Sequence, residues 1–325
     1  MKGLLRPATP PAARQRLFRQ RGVALITAVL LVAMATVLAT RIGSRGAIDQ
    51  RRATALMMRE QAFQIALGAE AWAGEILRED AQKGQEDSLN EPWAMPLPAL
   101  PIDGGAVEGN LEDLQGRLNL NNLVTPDGQP DLFALAHLQR LLEALKLEPK
   151  WAQLLVDWID PDTLRSFPDG AEDGEYLMAQ PAYRAANTYL TSTSELLALP
   201  GFGTERFRVL APYVTALPHG TRLNVCTASG IVIDTLSPNF REFSGDPAQL
   251  AQNRLRGCFP TVSDLSSSFS AEAWADINSH VEQRSAWFRL TTRVTLGGTE
   301  VTLYSLLERN GVGGSRAALR TFGTD

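Results

Sequence analysis

The sequence predicts an α+β fold: one long N-terminal helix packed on an antiparallel sheet, with a large all-helical region inserted between early and late strands. Three observations predict it. Residues 23–40 contain no charge, proline or glycine, and helix-forming sequence continues behind them to Gln82. Residues 287–296 and 300–308 are β-branched or aromatic runs separated by Gly297-Gly298-Thr299, a hairpin signal. Between these ends, residues 126–216 are rich in Leu and Ala at helical spacing.

The chain opens on a basic leader, residues 1–22, carrying Lys2, Arg6, Arg14, Arg16, Arg19 and Arg21 and no acid. A helix rises about 1.5 Å per residue, so the apolar run covers about 27 Å, the short end of what a bilayer core requires. A buried core helix is the bland alternative, but core helices rarely lack charge all the way round. Positive flanks stay cytoplasmic, so the N-terminus is expected inside and everything after Thr40 across the membrane. Small residues from Ala35 to Ala39 could serve an ordinary signal cleavage. Arg21-Gly22, placed ahead of the apolar run, suits a different cut, between Gly22 and Val23, which leaves the membrane helix as the new N-terminus.

Residues 41–82 contain no proline, and Ile48, Ala55, Ala62, Ala66, Ala69, Ala73 and Ile76 recur at spacings of three, four and seven. The membrane run is expected to continue straight into them as one helix of nearly sixty residues, roughly 85–90 Å long. Such a helix needs a domain packed on its far half and neighbouring subunits on its near half. Residues 83–125 begin as a loop, broken by Pro92, Pro96, Pro98, Pro101 and Gly104-Gly105. They continue as two short strands, 106–111 and 116–120. A first helical domain is expected over 126–216, with helices at 132–147, 151–159 and 193–199. A second follows over 217–285, then the hairpin over 286–310 and a flexible tail over 311–325.

The two helical domains look like copies. Gly116-Arg117-Leu118-Asn119-Leu120-Asn121-Asn122 parallels Thr221-Arg222-Leu223-Asn224-Val225-Cys226-Thr227. Each is followed by a helix start, Ser194-Glu195-Leu196 and Ser263-Asp264-Leu265, with the first copy longer by about 36 residues. Much of the extra length is an acidic loop. Asp157, Asp160, Asp162, Asp169, Glu172, Asp173 and Glu175 stand there among prolines and glycines, against a single Arg165. Hard cations take such oxygens, but the spacing does not match the twelve-residue helix–loop–helix calcium pattern. From composition alone a solvated acidic loop reads equally well.

Charge and cysteine content narrow the partners. Without the leader the chain carries 25 basic against 36 acidic side chains, which argues against nucleic acid. The two cysteines, Cys226 and Cys258, would lie in an oxidising compartment, where a bridge stabilises by about 3–4 kcal/mol on the chain-entropy estimate. Two buried free thiols are the alternative.

The leader, glycine and apolar helix together resemble the processing signal of type IV pilins and of the pseudopilins of type II secretion. The resemblance implies cleavage by a prepilin peptidase after Gly22 and methylation of the Val23 amine. Family members usually carry glutamate at the fifth mature position, and here that residue is Thr27. A buried carboxylate needs a partner, the amine of the subunit ahead, so its absence suits a subunit with nothing ahead of it. Leu111-Glu112-Asp113-Leu114-Gln115-Gly116-Arg117-Leu118-Asn119-Leu120-Asn121-Asn122-Leu123-Val124, Asp157-Trp158-Ile159-Asp160-Pro161-Asp162, Gly170-Ala171-Glu172-Asp173-Gly174-Glu175-Tyr176 and Tyr183-Arg184-Ala185-Ala186-Asn187 resemble blocks of the minor pseudopilin K family. That resemblance implies a pseudopilin fold with two SAM-like helical subdomains, a place at the tip of the pseudopilus, and an inner-membrane anchor. It also implies the minor pseudopilins I and J as partners. It further implies calcium bound near the acidic loop by Asp160, Asp162, Glu172 and Asp173, with Asp157 and Glu175 as further candidates.

Other classes are weaker. Leu199-Pro200-Gly201-Phe202-Gly203 resembles the turn of helix-hairpin-helix DNA-binding modules, with Arg206 and Arg208 nearby, yet the domain is acidic. A minor pilin of a type IV pilus would share the N-terminal signal without the acidic blocks. His137, His219 and His280 are scattered, and no nucleophile-elbow or zinc-protease motif occurs, so no enzyme is expected.

Overall fold

The computed structural model describes residues 21–310 and 314–322. Most of the basic leader, residues 1–20, and residues 311–313 and 323–325 of the expected tail lie outside the described residues. The chain forms two compact units, one ending at Met58 and one beginning at Arg59. Helix α1, Arg21–Lys83, contributes to both.

Within the first unit the large apolar side chains from Val23 to Leu38 are each 56–68% exposed. Water is a poor solvent for such a surface, and the run is long and apolar enough to cross a membrane. Its threonines bring no unsatisfied polar group. Thr27 Oγ1 donates to the carbonyls of Val23 and Ala24, Thr36 to Val32 and Thr40 to Thr36, at 2.7–3.0 Å.

The second unit contains an antiparallel sheet of five strands in the order β1-β2-β7-β8-β9. Its members are β1 (Leu97–Ile102), β2 (Gly105–Asp113), β7 (Trp287–Leu296), β8 (Thr299–Arg309) and β9 (Ser315–Phe322). The expected hairpin is β7–β8, turning through Gly297 and Gly298, both at positive φ, which the tight turn requires. Small residues on α1, Ala62, Ala66 and Ala73, are fully or almost fully buried, as is Leu77. Ala73 and Leu77 pack with Trp93, Leu111, Phe288, Leu290 and Leu307 in the core between helix and sheet.

Two strands of this sheet stand where none was expected. β1 lies in the proline-rich stretch read as loop; as the sheet's outermost strand it tolerates Pro98 and Pro101, whose missing N–H groups break no central ladder. β9 occupies what was expected to be flexible tail. It pairs with β8, while Arg320 forks onto Glu70 at 2.7–2.8 Å and Phe322 meets Phe63 edge-on at 5.3 Å.

The helical insertion shares one continuous core. The second expected strand of the early pair, 116–120, does not join the large sheet. It shortens to β3 (Leu118–Asn119), which pairs in parallel with β4 (Val214–Thr215). The second copy repeats this with β5 (Leu223–Asn224) on β6 (Val281–Glu282). Asn119 and Asn224 serve alike, each accepting the backbone N–H two residues on. Each copy also has a capping box that starts two residues ahead of the expected signal. Ser192 with Glu195 opens a 3-10 helix, Thr193–Ala198, and Thr261 with Asp264 opens α8, Val262–Ser268. Inside the first copy lie α2 (Leu132–Ala144), α3 (Lys150–Ile159), α4 (Asp173–Tyr176) and α5 (Gly203–Leu210). The second holds α6 (Gly230–Asp234), α7 (Pro247–Arg254), α8 and α9 (Ala271–Asn278). Cys226, just after β5, is bonded to Cys258, with Cα atoms 4.5 Å apart.

Candidate metal centre in the acidic loop

Helix α3 carries the first carboxylates of the site because its apolar face commits it to the core. Trp151, Leu155, Val156, Trp158 and Ile159 are buried, which draws Asp157 fully inside with them. Asp160 ends the helix in an extended conformation and is 4% exposed. The loop then returns over this end. The Ser166 N–H donates to Asp157 Oδ2 at 2.9 Å, and Gly170 passes so close that an added Cβ would lie 2.0 Å from the same oxygen. Only glycine fits there.

Glu172 sits ahead of α4 and is 5% exposed. Oxygens of Asp160, Asp162 and Glu172 lie within 4.8 Å of one another. Asp162 is exposed and holds the Leu164 N–H through Oδ1 at 2.7 Å. The inner carboxylates are poorly supplied. Asp157 Oδ1, Asp160 Oδ1 and both oxygens of Glu172 are buried with no hydrogen-bond donor, as is the Tyr176 hydroxyl beside them. Burial first, then the charges of Asp162 and Asp157, push the Asp160 carboxyl up to about 7. Burial, then Asp160, Asp157, Asp162 and Asp173, push Glu172 up to about 7. Buried acceptors without donors are rare, so this group must take up protons or a cation.

Asp173, expected among the ligands, is turned away: its Oδ1 accepts the Ala185 N–H at 3.1 Å and its Oδ2 lies 3.8 Å from Arg184. In this conformation Asp173 stands outside the group that Asp160, Asp162 and Glu172 form. Glu175 also serves the frame, holding Arg165 and the Glu172 N–H. Asp157 has the stronger claim as a fourth carboxylate, because it is wholly buried with a free oxygen. Its burial was visible only indirectly, in its place one turn into an apolar helix.

Elsewhere the candidate residues lie apart. Gly22 and Val23 are consecutive, exposed residues of α1. The turn likened to DNA-binding hairpins has its arginines occupied. Arg206 donates to Glu148 at 3.2 Å and to the Gly201 and Phe202 carbonyls, and Arg208 pairs with Glu205 at 3.0 Å. His137 is buried on the Val232 carbonyl, His219 stacks on Tyr189 and His280 on Phe133.

The family model described as type II secretion system (T2SS), protein K matches residues 116–219. The type II secretion system protein K of Pseudomonas aeruginosa is 33% identical over 316 residues, covering 94% of this chain and 93% of its own length. That of Pectobacterium carotovorum is 29% identical over 309 residues, covering 90% and 94%. Among solved structures, a chain from the GspK-GspI-GspJ complex of enterotoxigenic Escherichia coli is similar with a TM-score of 0.75 and 25% identity. The match covers 84% of this chain and all of that one.

Proposed function

The chain belongs to the type II secretion system protein K family, and from that premise we propose that it caps the pseudopilus tip and helps start its assembly for protein export. The observation that carries this reading is the end-to-end likeness to protein K relatives, whose solved counterpart comes from a complex with GspI and GspJ. The corresponding minor pseudopilins I and J of its own system are the partners. The chain works by assembly rather than catalysis.

Processing follows from the N-terminal sequence. A prepilin peptidase cuts between Gly22 and Val23 and methylates Val23, and residues 23–40 hold the product in the inner membrane with its globular part periplasmic. Mass spectrometry of the mature N-terminus tests this. A methylated Val23 is expected; cleavage after Ala39, or none, contradicts it.

In the acidic loop, Asp160, Asp162 and Glu172, supported by Asp157, hold calcium. Carboxylate oxygens alone suit a hard cation, and the donor-free oxygens of Asp157, Asp160 and Glu172 support the fit. When bound, the cation supplies the positive charge that these carboxylates lack. The residues in turn pin the end of α3 to the start of α4. Chelator is expected to lower the melting temperature by several degrees, and Asp160→Asn with Glu172→Gln to diminish that response. An unchanged melt with chelator overturns the site.

A further inference from the structure

A second group of carboxylates shares no residue with the acidic loop. Asp80 stands in the last turn of α1, Asp87 in the connection behind it, and Glu91 just before the short 3-10 helix Pro92–Ala94. One oxygen from each lies within 4.8 Å of the other two.

Each carboxylate is held to the frame through one of its oxygens. Asp80 Oδ2 accepts from Arg309 at 3.0 Å. Asp87 Oδ2 accepts the Ser285 N–H at 2.6 Å and also pairs with Arg309. Glu91 Oε2 accepts the Trp93 indole N–H at 2.6 Å, leaving Oε1 with only a 3.5 Å contact to the Ser88 hydroxyl. Asp87 is 1% exposed, and its Oδ1 has no donor at all. Arg309, 4% exposed at its side chain and stacked 5.1 Å from the Phe288 ring, is the counter-charge that the ion pairs supply. Three carboxylates against one guanidinium leave two negative charges around the buried Asp87. That is the charge of a divalent cation.

We propose that Asp80, Asp87 and Glu91 form a second site for a hard divalent cation, fastening the end of α1 to the sheet. The donors are all oxygen, which excludes soft metals and favours calcium or magnesium. Through Asp87 and Arg309 the site reaches β8, and through Ser285 the segment leading into β7. Burial, then the neighbouring Glu91 and Asp87, push Asp80 up to about 7, and burial raises Glu91.

Terbium(III) is the probe, because it occupies calcium-type oxygen sites and Trp93, bonded to Glu91, can sensitise its emission. The test uses the full chain in detergent carrying Asp160→Asn and Glu172→Gln, which disables the acidic loop and keeps the two sites distinguishable. Saturable, tryptophan-sensitised terbium emission is expected, displaced by calcium or by magnesium; whichever displaces it at lower concentration identifies the cation. Adding Glu91→Gln, which keeps an acceptor for Trp93 and leaves the Arg309 pairs intact, is expected to weaken terbium binding at least about tenfold. Asp87→Asn should do the same. The proposal is overturned if the folded parent variant gives no sensitised emission, if neither cation displaces terbium, or if Glu91→Gln leaves the titration unchanged.

Discussion

Thr27 stands where the family usually carries glutamate, and its hydroxyl is satisfied within its own helix by the carbonyls of Val23 and Ala24. It therefore offers a neighbouring subunit neither charge nor free donor. Thr27→Glu would place a carboxylate in the membrane run that must find an amine ahead of it. We expect reduced secretion in a complementation assay; full secretion contradicts the role given to this residue. His137 offers a separate test by pH. It is buried with Nε2 donating to the Val232 carbonyl at 3.0 Å, and burial first, with nearby Arg140 and His280, pushes it down to about 3. Between pH 6.5 and 3 the unfolded chain binds a proton that the folded chain refuses, so this residue's contribution is lost as pH falls. The expected loss is at most about 1.4 kcal/mol per pH unit. Urea melts at pH 7.5, 6.0 and 5.0 should show a shallower decline for His137→Gln than for the natural chain; parallel declines contradict it. Residue types in the acidic loop were legible in the sequence, but their directions were not. Asp173 and Glu172 are neighbours in the chain, and only the turn into α4 decides that one faces the site and the other Ala185.

Elements with strong local chemistry were readable, and those defined by their neighbours were not. The β7–β8 hairpin announces itself through two glycines between β-branched runs. β1 hides behind prolines that only an edge position permits, and β9, rich in Ala and Arg, has little strand propensity of its own. What holds β9 is partly Glu70 on α1, which is 9% exposed and accepts from Ser305 at 2.6 Å and from both ends of the Arg320 fork. Burial alone would raise this carboxyl, but the bonds to Arg320 and Ser305 outweigh it and hold it below the usual carboxylate range. Glu70→Ala breaks helix, β8 and β9 apart at one point and leaves the Ser305 hydroxyl without its partner. A destabilisation of about 1–3 kcal/mol in urea is expected, with faster amide exchange in β9. Unchanged exchange there would show that β9 is held by β8 alone.

At the scale of the molecule, the design is a membrane-competent helix, a pseudopilin sheet and a duplicated helical insertion. The duplication was visible as two Arg-Leu-Asn segments, and its physical content is two short parallel strand pairs, β3–β4 and β5–β6, each fixed by an asparagine. The repeat's length and its acidic addition could be read from spacing. That the first pair leaves the large sheet could not, because pairing over about a hundred residues carries no local signal. Reduction of the Cys226–Cys258 bridge in the second copy is expected to lower stability by about 2–4 kcal/mol, read as a shift of the urea midpoint with and without reductant. An unmoved midpoint would assign the second copy's stability to its core. The central claim is assembly, and it is tested most directly by co-expressing the full chain with the minor pseudopilins I and J of its own secretion system. Native mass spectrometry of the detergent extract should find one complex containing all three. A complex of I and J that forms while this chain remains outside it would contradict the account.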